Sequence, residues 1–297
     1  MKLSGRAAVP SKINASLDAL VKKHLPADYS AGCRFIPVAG LSSESWRIDS
    51  PQRRSLARLG SRDKRLLGID RQREQRLLRH LSAAALAPSV RLWAKPWLLL
   101  DWVEGETQSP ALFFSQPTQQ QLATMLATLH GVQPIGNALD IKRRLQAYWQ
   151  AVDVRRLTPA WLRWHQRLIK RPLPQTLKLA IAHMDIHPDN WVTSPRGERL
   201  IDWEYAAATD IALEFAALFR GNAYAPRQQR QLLQYYALCG GYRDIPRLEQ
   251  QIRRWQPWLD YLMLLWFEVR WQQTGELRYV QWAQPLREQL FGEIARR

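Results

Sequence analysis

With 297 residues, 46% of them apolar and 23% charged, the chain has material for one large domain or for two lobes around a shared cleft, and this composition excludes a disordered or fibrous polypeptide. A formal net charge of +17 points to anionic partners, whether nucleotide phosphates, nucleic acid or anionic lipid, or else to a soluble basic surface. Two cysteines, Cys33 and Cys239, with no CxxC pair and no Cys/His cluster, exclude a disulfide framework and a structural zinc site and fit a reducing cytoplasm.

In chain order, residues 1 to about 12 read as a loose tail without the apolar run of a secretory leader. Residues 13–25 have helical spacing, with Asn14 or Ser16 as the cap. Residues 34–48 read as a hairpin around the polar turn Gly40-Leu41-Ser42-Ser43-Glu44-Ser45, and 53–59 as a third strand. The polar, basic stretch 60–70 reads as a mobile loop. Residues 71–85 place Leu77, Leu78 and Leu81 on one helical face, and Pro88 ends that helix. Strands at 90–92 and 97–101 lead into a connector, Val103-Glu104-Gly105-Glu106. Helices follow at 119–130, 141–151 and 159–170, the first of them opened by Pro117-Thr118. The segment 183–202 carries short strands at Trp191-Val192 and Leu200-Ile201 around the turn Ser194-Pro195-Arg196-Gly197, and 211–296 is nearly all helical. No repeat occurs, and the longest apolar runs, 97–103 and 262–267, are far too short to span a membrane, so no membrane partner is expected. The outcome is an α+β, two-lobed architecture: a small strand-rich lobe, 1–102, and a large helical lobe, 103–297, with a natural ligand site between them.

The chemistry concentrates in His183-Met184-Asp185-Ile186-His187-Pro188-Asp189-Asn190 and Ile201-Asp202-Trp203-Glu204. Asp185 and Asn190 have the D-x-x-x-x-N spacing of a kinase catalytic loop. Phosphoryl transfer asks little covalent chemistry of the protein: it needs an aspartate to orient the acceptor hydroxyl and oxygen ligands to hold a metal between phosphates. Asp202 follows after one hairpin, where a second metal ligand is needed. Turn residues around Pro188 give part of the same pattern.

These two stretches resemble the aminoglycoside phosphotransferase and choline kinase family. The runs Leu200-Ile201-Asp202-Trp203-Glu204-Tyr205-Ala206, Asp210-Ile211-Ala212-Leu213-Glu214, Arg253-Arg254-Trp255 and Trp266-Phe267-Glu268-Val269-Arg270-Trp271 are similar to the bacterial, thiamine-phosphorylating branch of that family. The likeness is strong over about residues 180–275 and weak before 100. It implies a protein-kinase-like fold whose N-terminal lobe binds ATP. It also implies Asp185 as catalytic base, Asn190 and Asp202 as Mg²⁺ ligands, and Asp101-Trp102-Val103 as the hinge facing adenine. The loop carrying Gly40, Ser42 and Ser43 would lie over the phosphates. The implied acceptor is a small cationic alcohol, thiamine, phosphorylated on its hydroxyethyl group; choline, an aminoglycoside or a sugar would suit the same fold.

Several residues depart from the family pattern. Met184 stands where most members carry Gly, the phosphate loop has one glycine, and the ATP-facing strand lacks Val-Ala-x-Lys. Arg58 is the best-placed cation there and Lys64 its rival; an arginine fork binds phosphate differently from a lysine. Glu74 either pairs with that cation or lies on a solvated helix face beside Arg71, Arg73 and Arg76. The 14 tryptophans include a late group with a carboxylate among them, so Glu204, Trp266, Glu268 and Trp271 form a candidate wall for an organic cation, while packing of the helical core is the competing use of these rings. His183 reads as support for the loop, His187 as a local hydrogen-bonding partner, and His130 as a helix-end cation. A non-enzymatic anion or nucleic-acid binder is the alternative class, but the basic residues are scattered and no nucleic-acid motif occurs, so no nucleic-acid partner is expected.

Overall fold

The computed structural model describes residues 11–38 and 45–292; Gly40, Ser42 and Ser43 lie outside the described residues. The N-terminal part opens with α1 (Ser11–His24) and α2 (Pro26–Ser30), followed by β1 (Arg34–Val38), β2 (Ser45–Asp49), β3 (Arg54–Leu59), the short α3 (Arg62–Leu66), α4 (Arg71–His80), β4 (Val90–Ala94) and β5 (Trp97–Asp101). The strands form one antiparallel sheet in the order β1-β2-β3-β5-β4. One face buries Trp46, Ile48, Ala57, Trp97 and Leu99 against Leu17, Leu20 and Val21 of α1. The other carries Leu98 and Leu100 into the main core beside Leu77 and Leu78 of α4. β5 is apolar from Trp97 to Leu100 because both faces are covered there. Asp70 caps α4 by accepting from the amides of Gln72 and Arg73.

Two local expectations change. Helix α1 begins at Ser11, ahead of Asn14 and Ser16, and Ser16 instead accepts from Trp97 Nε1 at 3.0 Å. The stretch 60–70 is no open loop: Ser61 caps α3 through the Lys64 amide, and Leu67 and Ile69 enter the main core. Three apolar positions, Leu66, Leu67 and Ile69, at the end of a basic run give no period from which such anchoring could be read.

After the connector come β6 (Glu106–Thr107), α5 (Gln116–Gly131), α6 (Ile141–Trp149), α7 (Pro159–Lys170), β7 (Leu179–Ala182), β8 (Trp191–Ser194), β9 (Gly197–Leu200), β10 (Ala207–Asp210), α8 (Ile211–Gly221), α9 (Pro226–Leu238), α10 (Ile245–Thr274) and α11 (Leu277–Phe291). Gly105 in the connector has φ +144°, and a Cβ there would stand 2.2 Å from the Thr193 carbonyl oxygen, so only glycine fits. Helix α8 is buried almost throughout and forms the centre of the helical part. Two small antiparallel sheets, β7 with β10 and β6-β8-β9, bracket the segments 183–190 and 201–206 and fix their ends. Strands β7 and β10 are four residues each, too short for an alternation to stand out. His130 is 2% exposed and bonds the Tyr236 hydroxyl at 2.9 Å. Burial pushes its pKa down to about 3, so it is a neutral core partner rather than a helix-end cation.

Candidate active site

A cleft of about 1050 Å³ runs between the sheet and the helical part. Val38, Ser45, Leu56, Arg58 and Trp102 line it from the sheet side, Asp185, Asn190 and Asp202 lie on its floor, and Tyr148, Tyr205, Met263, Trp266, Phe267 and Trp282 close its far end.

The floor is built from backbone outward. After β7 the chain turns through Met184 at φ +68°, a left-handed conformation that costs a side-chain-bearing residue roughly 1–2 kcal/mol. Glu214 of α8 compensates: its fully buried carboxylate accepts from the amides of His183 at 2.5 Å and Met184 at 3.1 Å. Burial raises the Glu214 pKa to about 7, against the lowering effect of those two bonds. The buried His183 ring bonds the Ile201 carbonyl through Nε2 at 2.9 Å and takes the Asp185 amide on Nδ1 at 3.3 Å. Burial drives its pKa down to about 4, so the ring is neutral and serves as donor at one nitrogen and acceptor at the other. Asn222 donates to the Ile186 carbonyl at 2.8 Å and ties the loop to the end of α8.

Asp185 therefore sits on a fixed backbone with 43% of its side-chain surface open to the cleft. The depth of the cleft desolvates it, and Asp202 and Glu204 add like charge, so its pKa rises to about 7, the range in which a carboxylate works as a base near neutrality. Asn190 Nδ2 donates to the Asp185 carbonyl at 2.9 Å and to its carboxylate at 3.3 Å, which leaves the side-chain oxygen Oδ1 of Asn190 for a ligand. His187 stands 3.9 Å from the Asp185 carboxylate and 3.8 Å from that of Asp189, close enough for charge attraction but not for hydrogen bonds.

Asp202 is also left-handed, at φ 64°, a conformation that aspartate tolerates. Burial favours its neutral form, but Arg58 Nη2 at 2.5 Å outweighs that and holds the carboxyl below its usual range. Arg58 joins three carboxylates: Glu74 at 2.8 Å, Asp202 at 2.5 Å and Glu204 at 2.6 Å. Arg71, one turn before Glu74, bonds Glu74 at 2.6 Å and reaches Glu204 at 3.2 Å. Thus β3, α4 and the 202–204 turn are cross-linked by two guanidiniums, and Glu74 is a buried partner of Arg58 rather than part of a solvated face. Lys64, on α3, is buried and does not line the cleft.

The predicted cation wall separates. Trp266 and Phe267 line the cleft, and Trp266 Nε1 donates to the Tyr205 hydroxyl at 2.9 Å. Glu268 projects about 200° away from Trp266 at about 100° per helical residue. There it pairs with Arg156 and Arg287, while Trp271, three residues on and on the same face as Glu268, lies under the Arg156 guanidinium at 4.8 Å. Glu204 is 1% exposed and faces Arg58 and Arg71. At the hinge, β5 ends with the exposed Asp101, Trp102 lines the cleft, and half-buried Val103 follows. The Trp102 amide donates to the Arg54 carbonyl at 3.2 Å, so that amide is already used within the sheet.

Sequence reading missed Tyr148, Tyr205 and Trp282 on the far wall, and Arg71 and Glu214 beneath the floor. Arg71 stands three residues before Glu74, and Tyr205 directly follows Glu204; spacing was the one signal for either.

Around the floor, Glu74, Asp202 and Glu204 face two guanidiniums, an arrangement with negative charge to spare. Among the described residues no three His, Cys, Asp or Glu side chains converge as a self-sufficient metal cage. One carboxylate plus one free amide oxygen is instead the donor set of a hard divalent ion that keeps waters and phosphates as its other ligands, so Asn190 and Asp202 fit Mg²⁺.

Comparison with known proteins agrees with this geometry. Residues 34–255 match the family model described as "Phosphotransferase enzyme family". A thiamine kinase of Salmonella paratyphi C (strain RKS4594) is 39% identical over 218 residues, covering 72% of this chain and 76% of the relative. A thiamine kinase of Escherichia coli O157:H7 is 38% identical over 218 residues, covering 73% and 76%. In fold, the choline kinase LicA from Streptococcus pneumoniae superposes with a TM-score of 0.75 at 17% identity, covering 95% of this chain and all (100%) of that one. LicA in complex with AMP gives 0.71 at 17% identity, over 92% of this chain and 98% of that one. These likenesses establish a protein-kinase-like α+β fold.

Proposed function

This chain belongs to the phosphotransferase enzyme family, and from that premise we propose that it transfers the γ-phosphoryl group of ATP to the primary hydroxyl of thiamine, giving thiamine phosphate and ADP. The chain is an ATP-dependent kinase with an alcohol acceptor. The observation that carries the substrate is the pairing of Asp185 with an aromatic far wall: Tyr205, Trp266, Phe267 and Trp282 offer rings to a flat organic cation within the same cleft, with the buried Tyr148 behind them. This wall replaces the one built on Glu268 and Trp271. An aminoglycoside, a polycation, would need more free carboxylate than this end of the cleft offers.

In the proposed reaction residues 1–102 take the nucleotide, with adenine between Val38, Leu56 and Trp102, and residues 103–297 take the acceptor. Asn190 and Asp202 would hold Mg²⁺, which supplies positive charge to the phosphate oxygens when bound. Arg58 keeps Asp202 ionised and in place. Asp185 accepts the proton of the acceptor hydroxyl; that oxygen bonds to the γ-phosphorus, the bond to the β–γ bridging oxygen breaks, and ADP leaves with the electron pair. Two free cysteines, Cys33 and Cys239, fit a cytoplasmic setting. The test is transfer of label from γ-³²P-ATP to thiamine, choline, kanamycin and a hexose; thiamine phosphate as the main product supports the reading, and preference for another acceptor refutes it.

A further inference from the structure

Besides Arg58, the cleft is lined by one other arginine or lysine among the described residues, Arg144 of α6. Its surroundings differ from those of Arg58. Arg58 is enclosed by three carboxylates, whereas Arg144 donates to the Leu67 carbonyl at 3.0 Å and lies 5.8 Å from the centre of the Tyr148 ring. Next to it Arg73 spends its bonds on the carbonyls of Gly68 at 2.9 Å and Glu204 at 3.3 Å. Both guanidiniums rest on backbone carbonyls. Two cations held side by side on neutral oxygens repel each other, and that repulsion, after burial, lowers the basicity of Arg73.

The position of Arg144 is specified by the backbone. Gly68 has φ +83°, and a Cβ built there would stand 1.0 Å from Arg144 Nη1, so any other residue at 68 would be strained and would displace the guanidinium. The Tyr148 hydroxyl bonds the same Leu67 carbonyl at 2.6 Å and fixes the carbonyl on which Arg144 rests. A guanidinium has five donors, and these contacts leave several of them for a ligand.

At the acceptor end of the cleft this charge works against a cationic alcohol and in favour of its phosphate ester. Phosphorylation turns a neutral hydroxyl into a group carrying about −1.5 to −2 charge, the chemistry an arginine fork matches best. We propose that Arg144, backed by Arg73, is an anion subsite that engages the transferred phosphoryl group as it reaches the acceptor, so that it contacts the transition state and the phosphomonoester product but not the alcohol substrate. This proposal rests on the thiamine reading above.

Calorimetric titration of the full chain without nucleotide, using thiamine and thiamine phosphate on the unsubstituted protein, Arg144→Gln and Arg144→Lys, tests it. Arg144→Gln is expected to weaken thiamine phosphate by about tenfold or more while thiamine changes by less than about twofold, with Arg144→Lys in between for the phosphate ester. A purely structural bridge from α6 to Leu67 would weaken both ligands alike; that result, or no change in either, overturns the subsite. If the unsubstituted protein phosphorylates thiamine and the variant still binds thiamine phosphate normally, the subsite falls and the substrate reading stands. If the unsubstituted protein binds neither ligand, both fall.

Discussion

Replacing Arg58 by lysine keeps the charge and removes the fork. In the native cleft Arg58 is 2% exposed and bonds Glu74, Asp202 and Glu204 from its two terminal nitrogens. Arg71 still holds Glu74 at 2.6 Å and Glu204 at 3.2 Å, so those two carboxylates keep a partner, and the loss falls mainly on Asp202, whose side chain is 34% exposed. An ammonium reaches one or two of the three carboxylates; losing one or two charge-assisted bonds, with discount for solvent at Asp202, costs about 2 kcal/mol. Arg58→Met, which leaves the buried acids one cation short, should cost about 3–5 kcal/mol. Denaturant unfolding at constant m-value measures both. In steady-state kinetics Arg58→Lys should raise KM for Mg·ATP by about tenfold and leave KM for thiamine within about twofold, because Asp202 and not the aromatic wall is disturbed. A lysine variant with native stability and native KM for Mg·ATP would refute the claim that the fork organises the metal side of the cleft.

The two tryptophan-region carboxylate and ring positions should separate cleanly. Trp266→Ala, which removes a cleft ring and the partner of the Tyr205 hydroxyl, should raise KM for thiamine about three- to thirtyfold with KM for ATP little changed. Glu268→Gln, buried between Arg156 and Arg287, should lower stability by about 2 kcal/mol or more and leave KM for thiamine unaltered; the reverse pattern would restore the wall based on Glu268. Glu214 adds a pH signature. Its folded pKa is raised from 4.5 to about 7, so its contribution to stability is fully present below pH 4.5 and is lost as pH rises through about 7. Unfolding free energy followed between those limits should fall with pH, and Glu214→Gln should flatten the slope; an unchanged slope would assign the titration elsewhere.

The floor of the site was legible because its chemistry is local in sequence: Asp185, Asn190 and Asp202 lie within one loop and one hairpin, and spacing alone brings them together. The pairing of Arg58 with Glu74 was legible in part, since a cation on a strand and an acid on the following helix are a short connection apart, but whether Glu74 faced in or out depended on Arg71 and Glu204 meeting it from two other directions. The acceptor wall was not legible. Tyr148, Trp266 and Trp282 come from three helices whose relative placement is a tertiary fact, and Trp266 and Glu268, two positions apart, were assigned to one surface although helical geometry turns them to opposite sides. Likewise, the anchoring of 60–70 rested on two apolar side chains whose burial depends on the distant helix α6. Met184 at a position that favours glycine signalled a local difference; the turn persists because a carboxylate thirty residues later, Glu214, accepts its amide.

The most direct test of the central claim is transfer of the γ-phosphoryl group of ATP to thiamine by the purified chain, run beside Asp185→Asn. The account predicts thiamine phosphate and ADP in equal amounts from the native chain, and a rate lower by about 10²–10⁴-fold in the variant, with binding of a non-hydrolysable ATP analogue retained. Native-level turnover by Asp185→Asn, or no transfer to thiamine by the native chain under conditions where another alcohol is phosphorylated, would contradict it.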